Sequence, residues 1–230
     1  MKSIRSLGLL AGLALSLPVA AFADASLVES QCAECHALTR PDYDALGISE
    51  RAGRKGPPLF YAGNKYREEW LVQWLQRPER IWPGGVFAPA HAISTPEGDV
   101  IDEASLPEHP ALSAADAESA AKYLMTLRPF DELIAAQGYE PGTIAMRIGQ
   151  MNFSKFKGCD SCHRDAPDYG GVSGPELYTA WERLQPGYIA AYIADPIAFD
   201  PHSIMPKAGL PPEEVKKLAD YLKAVSEAGQ

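Results

Sequence analysis

Beyond its first twenty residues, the chain has no apolar run of the ~20 residues needed to cross a bilayer, which excludes an internal membrane span. It also lacks a basic excess. Its 21 Lys and Arg face 30 Asp and Glu, a net charge of −9, which argues against nucleic acid and anionic lipid as partners. No segment alternates apolar and polar residues convincingly, so no strand is predicted. Cysteine is scarce: there are 4 in 230 residues, and all of them fall in two short motifs.

What is present begins with a targeting pattern. Met1-Lys2-Ser3-Ile4-Arg5 precedes a small-residue and leucine stretch, Leu7 to Ala20, and Ala21-Phe22-Ala23 closes it before Asp24. A basic start, a short apolar middle and an A-x-A ending read as a secretory signal peptide cleaved after Ala23. Pro18 interrupts the run, which is short for a membrane anchor. Removing residues 1–23 from the 230 leaves 207, enough for one large or two small domains. Lys2 and Arg5 leave with it, so 19 cations face 30 acids and the charge becomes −11. The expectation is an exported, periplasmic protein whose partners carry basic docking surfaces.

Four cysteines in an exported chain would ordinarily suggest two disulfides. Their placement says otherwise. Cys32-Ala33-Glu34-Cys35-His36 and Cys159-Asp160-Ser161-Cys162-His163 both match C-x-x-C-H, the attachment signature of c-type haem. Two thiols three positions apart can each form a thioether with one haem vinyl group, and the adjacent histidine reaches the iron. Cys32, Cys35, Cys159 and Cys162 are therefore the candidate cofactor-binding residues, with His36 and His163 as iron ligands to two haems. The alternatives are a C-x-x-C redox pair, which would need a βαβ setting, and a zinc site, which does not require a histidine after each pair.

The chain also repeats itself. Gly56-Pro57-Pro58-Leu59-Phe60 matches Gly174-Pro175-Glu176-Leu177-Tyr178 at an offset of 118, and the offset continues through Trp70/Tyr188, Leu71/Ile189, Trp74/Tyr192 and Pro78/Pro196. Further on, Leu112–Leu124 aligns with Leu210–Leu222 at an offset of 98. Each copy holds one C-x-x-C-H motif. The predicted organisation is domain 1 over 24–129, a linker over 130–142 interrupted by Gly138, Pro141 and Gly142, and domain 2 over 143–230. Within the copies the signals are helical. Trp70, Leu71, Trp74 and Leu75 form one apolar face of a helix ended near Pro78. Ser113 with Asp116 suggests an N-cap. Pro211-Pro212-Glu213-Glu214 suggests a helix opened by proline and acids.

The order C-x-x-C-H, G-P-x-L-[FY], aromatic-rich helix, M-P and a final helix with Tyr-Leu resembles class I cytochrome c domains, and the layout resembles the two-domain bacterial dihaem cytochromes c. The second copy carries every element, including Gly174-Pro175, Met205-Pro206 and Tyr221. The resemblance implies an all-α fold of two tandem domains, each wrapped around one haem with its terminal helices crossing. It also implies that Met205 supplies a thioether to the second iron and raises its potential. His202, three residues earlier, reads as a surface or hydrogen-bonding residue.

The first copy departs from that family at this point. Phe87 aligns with Met205 and cannot ligate iron, while Met125 sits inside the last helix of the copy and reads as packing. Copy 1 carries 20 extra residues between Ala88 and Leu112, and these contain His91 and His109. His91, four residues past the vacant position, is the expected sixth ligand of haem 1. His109, before Pro110, is the next candidate, and an open iron the third. The predicted role is electron transfer between a periplasmic redox enzyme and a downstream acceptor, as carrier or haem subunit, without catalysis. The alternative is a small dihaem enzyme, a peroxidase or sulfur-oxyanion oxidase, working at an open haem 1. The aromatic residues Trp70, Trp74, Tyr188 and Tyr192 read as packing.

Overall fold

The structure, a computed structural model, describes residues 19–96 and 98–229, with side chains from Asp24 onward. Residues 1–18, on which most of the expected signal peptide falls, lie outside the described residues. No described helix is long and apolar enough to cross a membrane.

About half of the described residues are helical, with two small hairpins besides. The first half comprises α1 (Val19–Cys32), α2 (Ile48–Ala52), α3 (Ala62–Lys65), α4 (Glu68–Gln76) and α5 (Ala114–Leu124). A hairpin of β1 (Ala92–Thr95) and β2 (Gly98–Ile101) lies between α4 and α5. The connecting α6 (Asp131–Ala135) leads to α7 (Met146–Gln150), which runs on as a π-helical turn, Met151–Phe156. A two-residue-register hairpin, β3 (Arg164–Ala166) with β4 (Tyr169–Gly170), precedes α8 (Ala180–Arg183), α9 (Pro186–Ala194), α10 (Pro196–Phe199) and α11 (Pro212–Ala228).

The boundary signals act as their chemistry dictates. Ser113 caps α5, its Oγ accepting from Asp116 N at 3.2 Å. Pro212 stands in the first turn of α11, with Glu213 and Glu214 beside it at the positive end of the helix dipole. Leu71 and Leu75 bury one face of α4, and the helix stops at Gln76, two residues before Pro78. The β1–β2 hairpin is the clear departure from the helical expectation. It occupies the insertion and offers two apolar cross-strand pairs, Ala92–Ile101 and Ile93–Val100, the latter about half exposed at 50% and 49%. A pair so short leaves no readable alternation.

In each half the first and last helices pack together: α1 on α5 through Val28, Ala117, Ala120 and Ala121, and α7 on α11. The second contact requires Gly149, where an added Cβ would lie 2.3 Å from Tyr221 Cδ2. Between the halves lies a pseudo-two-fold relation. Tyr66 bridges Leu184, its own counterpart at the offset of 118. On either side Arg67 N donates to Arg183 O (3.0 Å) and Gln185 N to Lys65 O (2.9 Å), again paired equivalents. Aromatic rings fill the seam, with Tyr61 against Tyr188 and Phe199, and Phe130 against Phe199.

The segment 130–142 is correspondingly a packed element. Asn64, fully buried, accepts from Phe130 N (3.0 Å) and donates to Asp131 (2.7 Å) at one end. Asp220 receives Tyr139 Oη and Gly142 N, both at 2.8 Å, at the other.

Candidate cofactor site

In both motifs the carbonyl of the first cysteine accepts from the amides of the second cysteine and the histidine. The distances are 3.1 and 2.9 Å for Cys35 and His36, and 3.2 and 3.0 Å for Cys162 and His163. That closes one helical turn. Residues i, i+3 and i+4 then share a face, so both thiols and the imidazole look into the same space.

The glycine-proline strap fixes each imidazole. Leu59 N ties the strap to Ala37 O (2.9 Å), and Leu177 N ties its counterpart to Arg164 O (2.7 Å). The proline carbonyls then meet the rings, at 2.7 Å between Pro57 O and His36 Nδ1, and 2.8 Å between Pro175 O and His163 Nδ1. A carbonyl only accepts, so Nδ1 carries the proton and Nε2 keeps its lone pair. Burial, the largest influence, lowers both histidines' pKa values below the ordinary 6.5, so neutral imidazole is the resting form. Gly56 and Gly174 are required by this contact. A Cβ would stand 2.3 Å from His36 Cε1 and 2.5 Å from His163 Cε1.

The two motifs open on one cavity of about 1380 Å³, larger than the roughly 300–1,000 Å³ of an ordinary single-ligand pocket. Its wall includes Trp70, Trp74, Tyr188, Tyr192 and many aliphatic side chains. For an acidic protein its charge is reversed. Arg51, Arg54, Lys55, Lys65, Arg80, Lys157 and Arg183 line it against Glu79, Glu108 and Asp200. Arg54 pairs with Asp200 across the two halves at 2.7 Å. Arg183, only 3% exposed, pairs with Glu176 beneath the second strap.

None of the four cysteines forms a disulfide. Burial and then the neighbouring Cys35 push the Cys32 thiol up, while burial and then Asp160 push Cys159 up to about 11. Among the described residues, no three His, Cys, Asp or Glu side chains converge to hold a bare metal ion.

The remaining candidates sit on the same wall. Met205 lines the cavity from the loop before α11. His91 lines it too, with Nδ1 at 2.7 Å from Ser105 Oγ and its ring against the backbone of Gly85. His109 is the histidine brought to His36, with ring centroids 6.1 Å apart and planes tilted by 55°. Burial lowers its pKa as well, opposed by its contact with Pro110 O. Met125 caps α5 and packs against the core. His202 lies edge-on to Tyr43 at the Arg54–Asp200 pair.

Sequence reasoning found the G-P strap as a repeat and missed its function as the imidazole anchor. The proline carbonyl is a backbone atom and leaves no residue-type signal beyond the glycine. Comparison with protein-family models, curated proteins and solved structures finds no match.

Proposed function

We propose that this chain is a periplasmic dihaem c-type electron-transfer protein, with one haem held by Cys32, Cys35 and His36 and the other by Cys159, Cys162 and His163. The observation that carries the reading is the repeated unit: a free thiol pair and a histidine anchored through Nδ1, both facing a large apolar cavity. A porphyrin brings four metal ligands of its own, which suits a wall that offers imidazoles without any convergent bare-ion cluster. Its propionates suit a cavity whose lining is cationic in an acidic protein.

When bound, haem supplies an iron that gains and loses one electron. The rest falls to the chain. Cys32, Cys35, Cys159 and Cys162 are free thiols that would hold the two groups through thioethers, each S–H adding across a vinyl double bond with its hydrogen passing to the vinyl carbon. His36 and His163 present neutral imidazole in the tautomer their straps impose. Met205 offers a soft sulfur that favours the reduced state of the second centre. The aromatic wall excludes water, and the shared cavity keeps the two centres in one space. The acidic exterior fits a redox partner with a basic docking surface.

The test is direct. The full chain, expressed with export in a host that matures c-type haem, should retain two haems per polypeptide through acid-acetone extraction. Recovery of extractable haem, or of zinc in its place, would overturn the reading.

A further inference from the structure

We propose that His109 is the second axial ligand of the iron held by His36, making the first centre bis-imidazole and the second imidazole–thioether. The inference rests on the dihaem reading above and adds the identity of one ligand.

Geometry separates His109 from the other candidates in the first half. Two imidazoles on one metal, with bonds of about 2.0–2.1 Å and ring centres about 1.1 Å behind each nitrogen, stand about 6.3 Å apart. His36 and His109 stand 6.1 Å apart on the cavity wall. Ring tilt does not oppose sharing, since two axial imidazoles are free to differ in rotation about their common axis.

The tautomer agrees. His109 Nδ1 donates to Pro110 O at 2.9 Å, which leaves the Nε2 lone pair available, the same device that anchors His36 and His163. Its ring packs on Trp74 at 4.6 Å, and Trp74 is itself fixed by donating Nε1 to Glu79 O at 2.9 Å. The insertion is what brings it there. Asp102 N returns to His91 O at 2.8 Å and closes the hairpin loop. Leu112 N then pins the exit to Leu75 O at 2.8 Å, at the end of the helix that carries Trp74.

His91 is held elsewhere by position, not by tautomer. Ser105 Oγ donates to Asp102 O (2.7 Å), so it accepts from His91 Nδ1 (2.7 Å), and Nε2 keeps its lone pair as in His109. The His91 ring, however, is locked over Gly85, where an added Cβ would meet Cδ2 at 2.8 Å and Nε2 at 3.1 Å, whereas the His109 ring reaches His36. Phe87 has no donor atom, and Met125 is packed at the end of α5.

The experiment uses the full-length, haem-loaded protein, with haem counted per chain alongside ferric EPR. Wild type should show two low-spin signals. His109→Ala should keep both covalent haems, lose one low-spin signal and gain a high-spin signal equal to one haem. Added imidazole should restore the lost signal. His109→Met should keep the centre low-spin and raise the lower of the two potentials. His91→Ala should change neither signal. Loss of a signal in His91→Ala with retention in His109→Ala would overturn the assignment, as would a high-spin first centre in wild type. Should His109→Ala fail to accumulate, His109→Met decides, since an unmoved lower potential also overturns it. A chain without covalent haem would sink the dihaem reading itself and the ligand with it, an outcome distinct from two haems with unaltered signals.

Discussion

Gly174→Ala tests the strap that orients His163. The new Cβ would stand 2.5 Å from Cε1, 2.6 Å from Nδ1 and 3.1 Å from Cys162 O. Ordinary carbon contacts begin at about 3.5 Å, so the ring or the strap must give by roughly 1 Å. A shift of that size carries Nδ1 out of hydrogen-bond range of Pro175 O, now 2.8 Å away. Overpacking costs about 1–3 kcal/mol and the lost hydrogen bond about 0.5–1.5 kcal/mol, so the sum is about 2–4 kcal/mol. For a chain of this size that lowers Tm by roughly 5–15 °C. Calorimetry of the purified variant measures the shift, and the visible spectrum of the second centre should change with it. Gly229→Ala is the control, since its nearest neighbour, Val225 O, would be 3.8 Å away. If Gly174→Ala stays within about 0.5 kcal/mol of wild type with an unaltered spectrum, the strap does not hold the imidazole.

Other perturbations read different parts of the fold. Asn64→Ala strands the buried Phe130 N at the seam between the halves, while Asp131 keeps Arg128, and urea titration should show a loss of about 1–3 kcal/mol. Arg183→Met leaves Glu176 buried and unpaired and should cost about 3–5 kcal/mol, most of it recovered by the double variant with Glu176→Leu. A double variant as unstable as the single one would contradict this. His36 and His163 titrate below their ordinary 6.5 when folded, so between the two values the unfolded chain binds more protons. Their contribution is complete above pH 6.5 and is lost as pH falls through the lower folded values. In the haem-free chain, urea midpoints should therefore drop from pH 7.5 to pH 5.5, and equal midpoints there would refute the burial of neutral rings; with the imidazoles on iron this pH dependence should vanish.

Helix starts and stops were legible because capping and proline chemistry are local. Ser113, Pro212 and Pro78 act within a few residues of themselves. The repeat was legible too, since an offset of 118 needs only counting. What the repeat could not disclose is that Tyr66 and Leu184, equivalent in sequence, meet in space. Nor does adjacency in the chain report adjacency in the fold. His91 ranks first by distance along the chain from Phe87. Yet the β1–β2 hairpin and the pin at Leu75 deliver the far end of the insertion, with His109, to His36. The hairpin itself left no signal because each four-residue strand has only two apolar residues, side by side, which give no alternation to detect.

The seam also bears on what a domain means in this chain. A linker over 130–142 would allow two halves that fold separately, but the contacts across the seam are of the kind found inside a core. Tyr61, Tyr188 and Phe199 are 3%, 4% and 0% exposed, and each touches the opposite half. Backbone segments are exchanged as well. Gly84 N donates to Val172 O (2.9 Å) and Glu176 N to Ile81 O (2.8 Å), while Arg51 and Arg54 reach His202 O and Asp200 on the other side. At the offset of 118, residues 54 and 84 correspond to 172 and 202, so each half seats its pre-strap loop on the other's post-helix loop. Separating the halves would expose three buried rings and hand four backbone hydrogen bonds across the seam back to water, and each ring's lost burial costs about 1.5–3 kcal/mol. Three rings come to about 5–9 kcal/mol, a large share of the 5–15 kcal/mol typical of a whole domain. The two halves are therefore closely packed against each other, and the loop that leads into each strap is seated on the half that does not contain it.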